Sequence, residues 1–218
     1  ATGDAGFIGA MSPTLNKTAE WTSSINSITA AAWASGTAMP QTKGFESGCG
    51  TTTAGLVYGG TPDNDDTEEF DGTSWTAGGD LGTGRYSATG FGTQTAAVNA
   101  GGHEYRTNTE KYDGSSWTAS GALSTGRRYL AGAGTQTAGL AIAGYTGPPG
   151  GVGNSEEFGG SSWTSGGTLS PTAWACMGTG TQTAALKAGG AGAGSPGPTA
   201  GTDTQEYDGS SWTVGGAM

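Results

Sequence analysis

The chain has 218 residues and a formal net charge of −10, and 45 of its residues are glycine. Acidic residues outnumber basic residues 18 to 8. An acidic surface repels phosphate backbones, so this balance argues against nucleic-acid binding. No apolar stretch approaches the roughly 18 residues of a membrane-spanning helix, so we expect no insertion into a membrane.

The sequence repeats throughout its length. We predict one domain over residues 1–218, built from five units, of which the first is partial. The units span residues 1–36, 43–78, 85–120, 127–166 and 173–216. Their anchor tryptophans are Trp33, Trp75, Trp117, Trp163 and Trp212, which are 42, 42, 46 and 49 residues apart. Internal repeats of this period indicate a repeat architecture.

The first unit is a worn copy of the later ones. Residues 2–10 match the second segment of the other units, and Trp21 occupies the place of an aromatic that otherwise stands five residues before the tryptophan. An insertion separates Trp21 from Trp33, and nothing matches the first segment. We therefore expect three strands from this unit.

Each later unit contains four short segments, which we name a, b, c and d in chain order. In the third unit they are residues 86–92, 96–101, 109–112 and 116–120. Short segments separated by Gly and Asp-Gly, such as Asp113-Gly114, are typical of antiparallel strands joined by tight turns. Four strands in 42–49 residues predict a propeller blade, because radial stacking buries both faces of each sheet. The predicted fold is an all-β, five-bladed β-propeller of four-stranded antiparallel blades, with one blade lacking its first strand.

The best copy resembles the kelch repeat through Arg85, Gly101, Gly102, Tyr112 and Trp117. The phrases GTQTA…GG, TEEFDGTSWT and EYDGSSWT are similar to kelch-like arrays in virion structural and tail-fibre-like proteins of tailed phages from aquatic bacteria, including cyanophages. The resemblance implies a virion surface component and no reaction. The missing strand of the incomplete blade would come from residues outside this sequence or from a neighbouring chain, or that blade has three strands.

In a four-stranded blade the b–c and d–a connections emerge on one face, which we name the b–c loop face. The b–c loops vary between units, whereas the a–b turns repeat Gly-Thr-Gln-Thr. Variable loops on a rigid scaffold carry function. The candidate binding residues on this face are Asp63, Asp65, Asp66, His103, Tyr105, Arg106 and Tyr145.

The sequence contains few residues that could form a catalytic or metal site. One histidine cannot build the copper site of galactose oxidase-like kelch enzymes, and Cys49 and Cys176 both fall in segment a, away from His103. We predict two partly buried thiols, no catalytic residues, no cofactor and no metal site. The acidic loop 62–66 is interpreted as a solvated loop, with Ca²⁺ binding as the alternative.

A partial ring of acids precedes the c aromatics. Its members are Glu20, Glu69, Glu157 and Glu206, with Lys111 as the exception. We expect these side chains to pair with Arg85, Arg127 or Lys43 of nearby blades, or else to form a cation or partner site.

The leading hypothesis is a non-catalytic virion surface or structural protein, serving as an appendage, fibre or decoration module. It would contact other virion proteins, copies of itself or a host surface, and it would reside in the virion. The alternative is a secreted, extracellular lectin-like propeller that binds host-surface glycan. A glycan-acting enzyme with unrecognised carboxylates is a third hypothesis.

Overall fold

The structure is a computed structural model that describes residues 7–8, 19–20, 34–148, 150–192 and 201–217. Regular structure in these residues is β-strand, apart from one 3-10 turn at His103–Tyr105. No helix of the described part is long and apolar enough to cross a membrane. The all-β prediction is confirmed.

Three two-residue strands come first and pair antiparallel in the order β1-β2-β3. They are β1 (Phe7–Ile8), β2 (Ala19–Glu20) and β3 (Ala34–Ser35). Trp21 and Trp33, which the sequence places in this unit, lie outside the described residues. The described residues therefore show no four-stranded fifth blade.

Four larger antiparallel sheets follow. Blade 1 consists of β4 (Ser47–Thr51), β5 (Ala54–Tyr58), β6 (Thr67–Phe70) and β7 (Trp75–Ala77). Blade 2 consists of β8 (Thr89–Thr93), β9 (Ala96–Ala100), β10 (Thr109–Tyr112) and β11 (Trp117–Ser120). Blade 3 consists of β12 (Ala131–Thr135), β13 (Ala138–Ile142), β14 (Val152–Phe158) and β15 (Trp163–Trp174), with β18 (Ala191–Gly192) added at its edge. Blade 4 consists of β16 (Met177–Thr181), β17 (Ala184–Ala188), β19 (Thr204–Tyr207) and β20 (Trp212–Val214).

The four sheets are arranged as the blades of a propeller. The first strands of successive blades contact each other, β4 with β8, β8 with β12 and β12 with β16. The first strands therefore lie innermost, and the later strands of each blade extend outward. Strand β1 contacts β4.

Blade 3 departs from the predicted segments. Strand β15 continues for 12 residues through Trp174, and its pairing with β14 shifts register twice. Residues 152–154, expected in a b–c loop, belong to β14. Ala173, expected at the start of a segment a, belongs to β15. The extension is possible because β18 pairs with Ala173 and Trp174, which keeps their backbone extended.

The aromatic residues of strands c and d form the core between blades, as the sequence predicts. Leu56 and Tyr58 of blade 1 pack against Tyr112 and Trp117 of blade 2, and the Tyr58 and Trp117 ring centroids are 4.6 Å apart. Tyr112 has no exposed surface. Apolar burial of this kind is the main stabilising contribution to a stack of sheets.

The paired glycines after strand b allow the next blade to approach. Gly101 has a φ of 74°, and a Cβ there would lie 2.6 Å from the carbonyl oxygen of Arg127. The N–H of Gly102 donates to that same oxygen at 2.9 Å. Only glycine combines this backbone conformation with such close contact.

The repeated glutamine of the a–b turn joins neighbouring blades. Gln94 Nε2 donates to the carbonyl oxygens of Gly55 and Phe70, at 3.0 and 2.9 Å. Gln136 and Gln182 make the same pair of bonds onto blades 2 and 3. The face opposite the b–c loops therefore repeats because its turns hold the blades together.

Candidate functional site

A chain of backbone hydrogen bonds organises the centre of the b–c loop face. Four residues, each two positions before the first strand of a blade, adopt the left-handed conformation: Phe45 (φ 56°), Ser87 (55°), Tyr129 (54°) and Ala175 (51°). The N–H of Ser87 donates to Phe45 O at 2.9 Å, that of Tyr129 to Ser87 O at 2.8 Å, and that of Ala175 to Tyr129 O at 2.8 Å. The blades thus hold the d–a connections in fixed positions.

Side chains from these connections and from the b–c loops meet in one continuous cluster. We name it the aromatic–arginine surface; it consists of Phe45, Tyr86, His103, Tyr105, Arg128, Tyr129, Tyr145 and Trp174. Ring centroids of consecutive members are 4.3–6.5 Å apart. These spacings are within the range of favourable aromatic contacts.

Arg128 lies at the centre of this surface. Its guanidinium carbon lies 5.4 Å from the ring centroid of Tyr105, 5.1 Å from that of Tyr129 and 5.3 Å from that of Tyr145. Three cation–π contacts hold the side chain in place, and they do not use its N–H groups as hydrogen-bond donors. Among the described residues Arg128 forms no ion pair, and its buried Nε has no hydrogen-bond partner.

The surface is partly open to solvent. The side chain of Phe45 is 42% exposed and that of Tyr105 is 38% exposed. The ring of Tyr86 stacks on the imidazole of His103, with the ring centroids 4.3 Å apart and an interplanar angle of 18°. Large aromatic side chains of a folded protein are seldom left this open, so the arrangement suits contact with a ligand or partner.

Three of the predicted binding residues, His103, Tyr105 and Tyr145, lie in the aromatic–arginine surface. Arg106 borders it, with its Nη2 3.2 Å from Glu104 Oε2 and 3.8 Å from Asp63 Oδ1. The contact with Asp63 joins the b–c loops of blades 1 and 2.

Asp65 and Asp66 shape their loop. The carbonyl oxygen of Asp65 accepts the N–H of Leu81 at 2.8 Å, and the side chains of Asn64 and Asp66 are joined by a 2.9 Å hydrogen bond. Across the described ranges, no group of three or more His, Cys, Asp or Glu side chains is placed to hold a metal ion. The Ca²⁺ alternative gains no support from this geometry.

The sequence did not point to the members of the surface that lie on the d–a connections or, for Trp174, at the end of β15. They are Phe45, Tyr86, Arg128, Tyr129 and Trp174. A usable signal was the variation at two adjacent places before segment a. The first place reads Gly44, Tyr86, Arg128 and Trp174, and the second reads Phe45, Ser87, Tyr129 and Ala175. Positions that vary between otherwise similar repeats are not constrained by the fold.

The prediction that the acidic ring pairs with Arg85 and Arg127 is wrong. The acids that pair with these arginines stand one residue before the ring positions 111 and 157. Arg85 pairs with Glu110, and Arg127 Nη2 lies 2.8 Å from Glu156 Oε1, within the same blade in each case. Both arginine side chains are fully buried. Successive strand residues point to opposite faces, so Glu157, next to Glu156, faces the other way. It accepts the hydroxyl of Tyr207 at 2.5 Å from the next blade.

The other described positions of the predicted acidic ring also do not pair with Arg85 or Arg127. Glu69 Oε1 accepts the hydroxyl of Tyr112 at 2.6 Å, and Lys111 Nζ donates to Gly160 O at 2.8 Å. The hydroxyl of Thr213 donates to the backbone oxygen of Glu206 at 3.4 Å, and the side chain of Glu20 lies outside the described residues. Glu69 and Glu157 thus act as contacts between blades.

A separate cleft of about 320 Å³ lies between the d–a connection of blade 2 and strands β10 and β11. The carboxylate of Glu110 is the charged group in its lining. One oxygen of Glu110 pairs with Arg85, and the other accepts the N–H of Gly82 at 2.7 Å. This acid already holds the loop in place, so the cleft is a weaker candidate than the aromatic–arginine surface.

Neither cysteine is prepared for nucleophilic chemistry. Both are free thiols; burial raises the pKa of Cys49 to about 12 and that of Cys176 to about 11. A thiol with a raised pKa is almost entirely protonated at neutral pH and is a poor nucleophile.

Comparison with known proteins supports the fold. No protein-family model and no curated protein matches the sequence. The solved "Structure of YjhT" is similar with a TM-score of 0.78 over all of this chain and 82% of that one, at 13% sequence identity. A likeness at this identity establishes the propeller architecture and says nothing of function.

Proposed function

We propose that the chain is a non-catalytic surface or structural component of a phage virion, whose b–c loop face contacts other virion proteins or a host surface. The observation that carries this proposal is the aromatic–arginine surface. Tyrosine, tryptophan and arginine are the residue types that dominate binding hot spots. Here they gather on one face, around Arg128, and leave Phe45 and Tyr105 open to solvent.

The rigidity of this surface supports a binding role. Tyr129 is held by its N–H bond to Ser87 O, and Arg128 and Tyr145 exchange backbone hydrogen bonds of 3.0 and 2.8 Å. A pre-ordered surface loses little conformational entropy when it binds. The virion assignment itself rests on the resemblance of the repeats to phage arrays.

Four glutamates are engaged by structural partners, which supports a function without catalysis. Glu110 and Glu156 are paired with buried arginines, and Glu69 and Glu157 accept tyrosine hydroxyls. These carboxylates already hold neighbouring strands and blades together through ion pairs and hydrogen bonds.

The proposal includes a kelch-like fifth blade that residues 1–35 form without a first strand. The outer face of blade 4 supports it, because Leu186 is 37% exposed whereas its equivalents Leu56, Val98 and Leu140 are fully buried. Met177 is 76% exposed, whereas its equivalents Ser47, Thr89 and Ala131 are at most 8% exposed. A fifth blade would cover both side chains.

The alternative function is a secreted lectin-like propeller that acts outside the cell. The open rings of Phe45 and Tyr105 favour it, since aromatic faces are suited to stacking against sugar rings.

Labelling of virus particles tests the main proposal. Antibodies raised against the purified chain are applied to intact particles of the source phage and located by electron microscopy. Labelling at the particle surface is expected, and particles without a virion-associated copy of the chain would overturn the proposal. A chain found only free in the surrounding medium would favour the secreted alternative.

A further inference from the structure

We propose that the aromatic–arginine surface binds an uncharged oligosaccharide, with sugar rings against Phe45 and Tyr105 and sugar hydroxyl groups accepting hydrogen bonds from Arg128. This inference rests on the proposed contact function, and it names the ligand class and the residues that recognise it.

The shape of the surface fits an extended ligand with several rings. The aromatic contacts run without a break from Tyr86 through Phe45 and Tyr129 to Trp174, and then through Tyr145 to Tyr105, with each centroid 5.4–6.5 Å from the next. The two open rings, Phe45 and Tyr105, stand at different places along this path. A single small molecule would leave most of the path uncovered.

Arg128 supplies the polar recognition. A guanidinium carries five N–H donors and no acceptor. The Nη atoms of Arg85 and Arg127 donate to carboxylate and backbone oxygens, whereas in the described structure the guanidinium of Arg128 makes contacts with aromatic rings and no hydrogen bond. Donors held in a fixed plane beside open aromatic rings suit a ligand that presents many hydroxyl oxygens next to apolar C–H faces.

The charges around the surface favour an uncharged ligand over an anionic one. Two basic side chains, Arg128 and Arg106, are balanced by two acidic ones, Asp63 and Glu104, which lie within 4 Å of Arg106. The acids are the more open, with side-chain exposures of 51% for Asp63 and 66% for Glu104 against 23% for Arg106. With a net charge of −10 on the whole chain, a polyanion would gain no long-range attraction.

The test is binding of the fluorescently labelled chain to an array of immobilised oligosaccharides. One arm carries uncharged glucans, galactans and mannans, and the other carries uronic-acid oligosaccharides of equal length. Tyr105→Ala removes an open ring, Tyr105→Phe retains it, and Met177→Ala alters a side chain outside this surface. Thermal unfolding of each variant confirms that the propeller is intact.

We expect saturable binding in the uncharged arm. Tyr105→Ala should weaken it by about tenfold or more, and Tyr105→Phe and Met177→Ala should stay within about twofold. Arg128→Lys keeps the charge but loses the planar donor fork, and should also weaken binding. Binding confined to the acidic arm, binding insensitive to Tyr105→Ala, or no binding to either arm would overturn this inference. With no binding to either arm but labelled virions, the proposed contact function would stand without it.

Discussion

The side-chain amide of Gln94 donates to the carbonyl oxygen of Phe70 at 2.9 Å and so joins blade 2 to the strand c aromatic of blade 1. The same amide reaches Gly55 O in strand b. Gln136 and Gln182 repeat this contact, whereas Thr52 stands at the corresponding place in blade 1. The same pair of glutamine hydrogen bonds therefore joins each of the three interfaces between the four complete blades.

Replacing Gln94 with alanine should destabilise the propeller. The change removes two hydrogen bonds across a seam, and a loss of about 1–3 kcal/mol in the free energy of unfolding is expected. Urea unfolding measures it, with Thr95→Ala in the same exposed turn as the control. Equal stability of the two variants would show that the glutamine does not hold the blades together.

The buried pair of Arg127 and Glu156 predicts an asymmetric result. Arg127→Ala alone leaves a buried carboxylate without its partner and should cost about 3–5 kcal/mol. Blade 4 carries Ala173 and Gln205 at the corresponding places, so Arg127→Ala with Glu156→Gln reproduces a pair that the fold already contains. The double variant should recover part of the loss in urea unfolding. A double variant less stable than Arg127→Ala would contradict this reading.

Replacing Glu46 with an uncharged residue should increase the stability of the fold in a pH-dependent way. Both oxygens of its carboxylate are buried and form no hydrogen bond of good geometry. Burial raises the pKa of Glu46 from the ordinary 4.5, which its own backbone N–H and Lys43 oppose in part. A raised folded-state pKa means that the ionised form destabilises the fold. The penalty is absent below the ordinary pKa and complete above the folded-state pKa.

Glu46→Gln should therefore raise the melting temperature near pH 8, and the difference should shrink as the pH falls to about 4. Melting curves of both proteins across this range measure the effect. A difference that is independent of pH would show that the carboxyl charge is not its cause.

The strands and the core could be predicted from the sequence because their signals are local. Phe70, Tyr112, Phe158 and Tyr207 each stand five residues before a tryptophan, and all four are at most 3% exposed. The two rings stand opposite each other across the c–d hairpin, as Phe70 and Trp75 do, so this spacing itself places both on one face of the blade.

Contacts across the blades could not be predicted in this way. The partner of Arg85 is Glu110 instead of a member of the acidic ring, because alternate residues of β10 face different blades and the sequence does not say which. The same holds for the aromatic–arginine surface. Arg128 and Tyr105 lie on different connections, which are joined by a 3.3 Å hydrogen bond from the N–H of Arg127 to the carbonyl oxygen of Arg106.

The proposed fifth blade predicts unequal effects of two similar substitutions. Leu186→Asp should destabilise the chain by about 2 kcal/mol or more if residues 1–35 cover this side chain, because a charge would be buried in an apolar contact. Val214→Asp is the matched control, since its equivalents Ala77, Ala119 and Ser165 are exposed in the other blades. Equal, small effects in thermal unfolding would contradict a covering blade.

Binding to cells tests the central claim, that the b–c loop face makes contact through the aromatic–arginine surface. Under the virion proposal, the cells to use are the bacteria that the phage infects. The measurement is the affinity of the labelled chain for these intact cells, with Arg128→Ala and Met177→Ala compared. Saturable binding that Arg128→Ala weakens by about tenfold or more, and Met177→Ala leaves unchanged, is the predicted result. Saturable binding of equal strength in all three proteins would place the contact surface elsewhere and contradict the account.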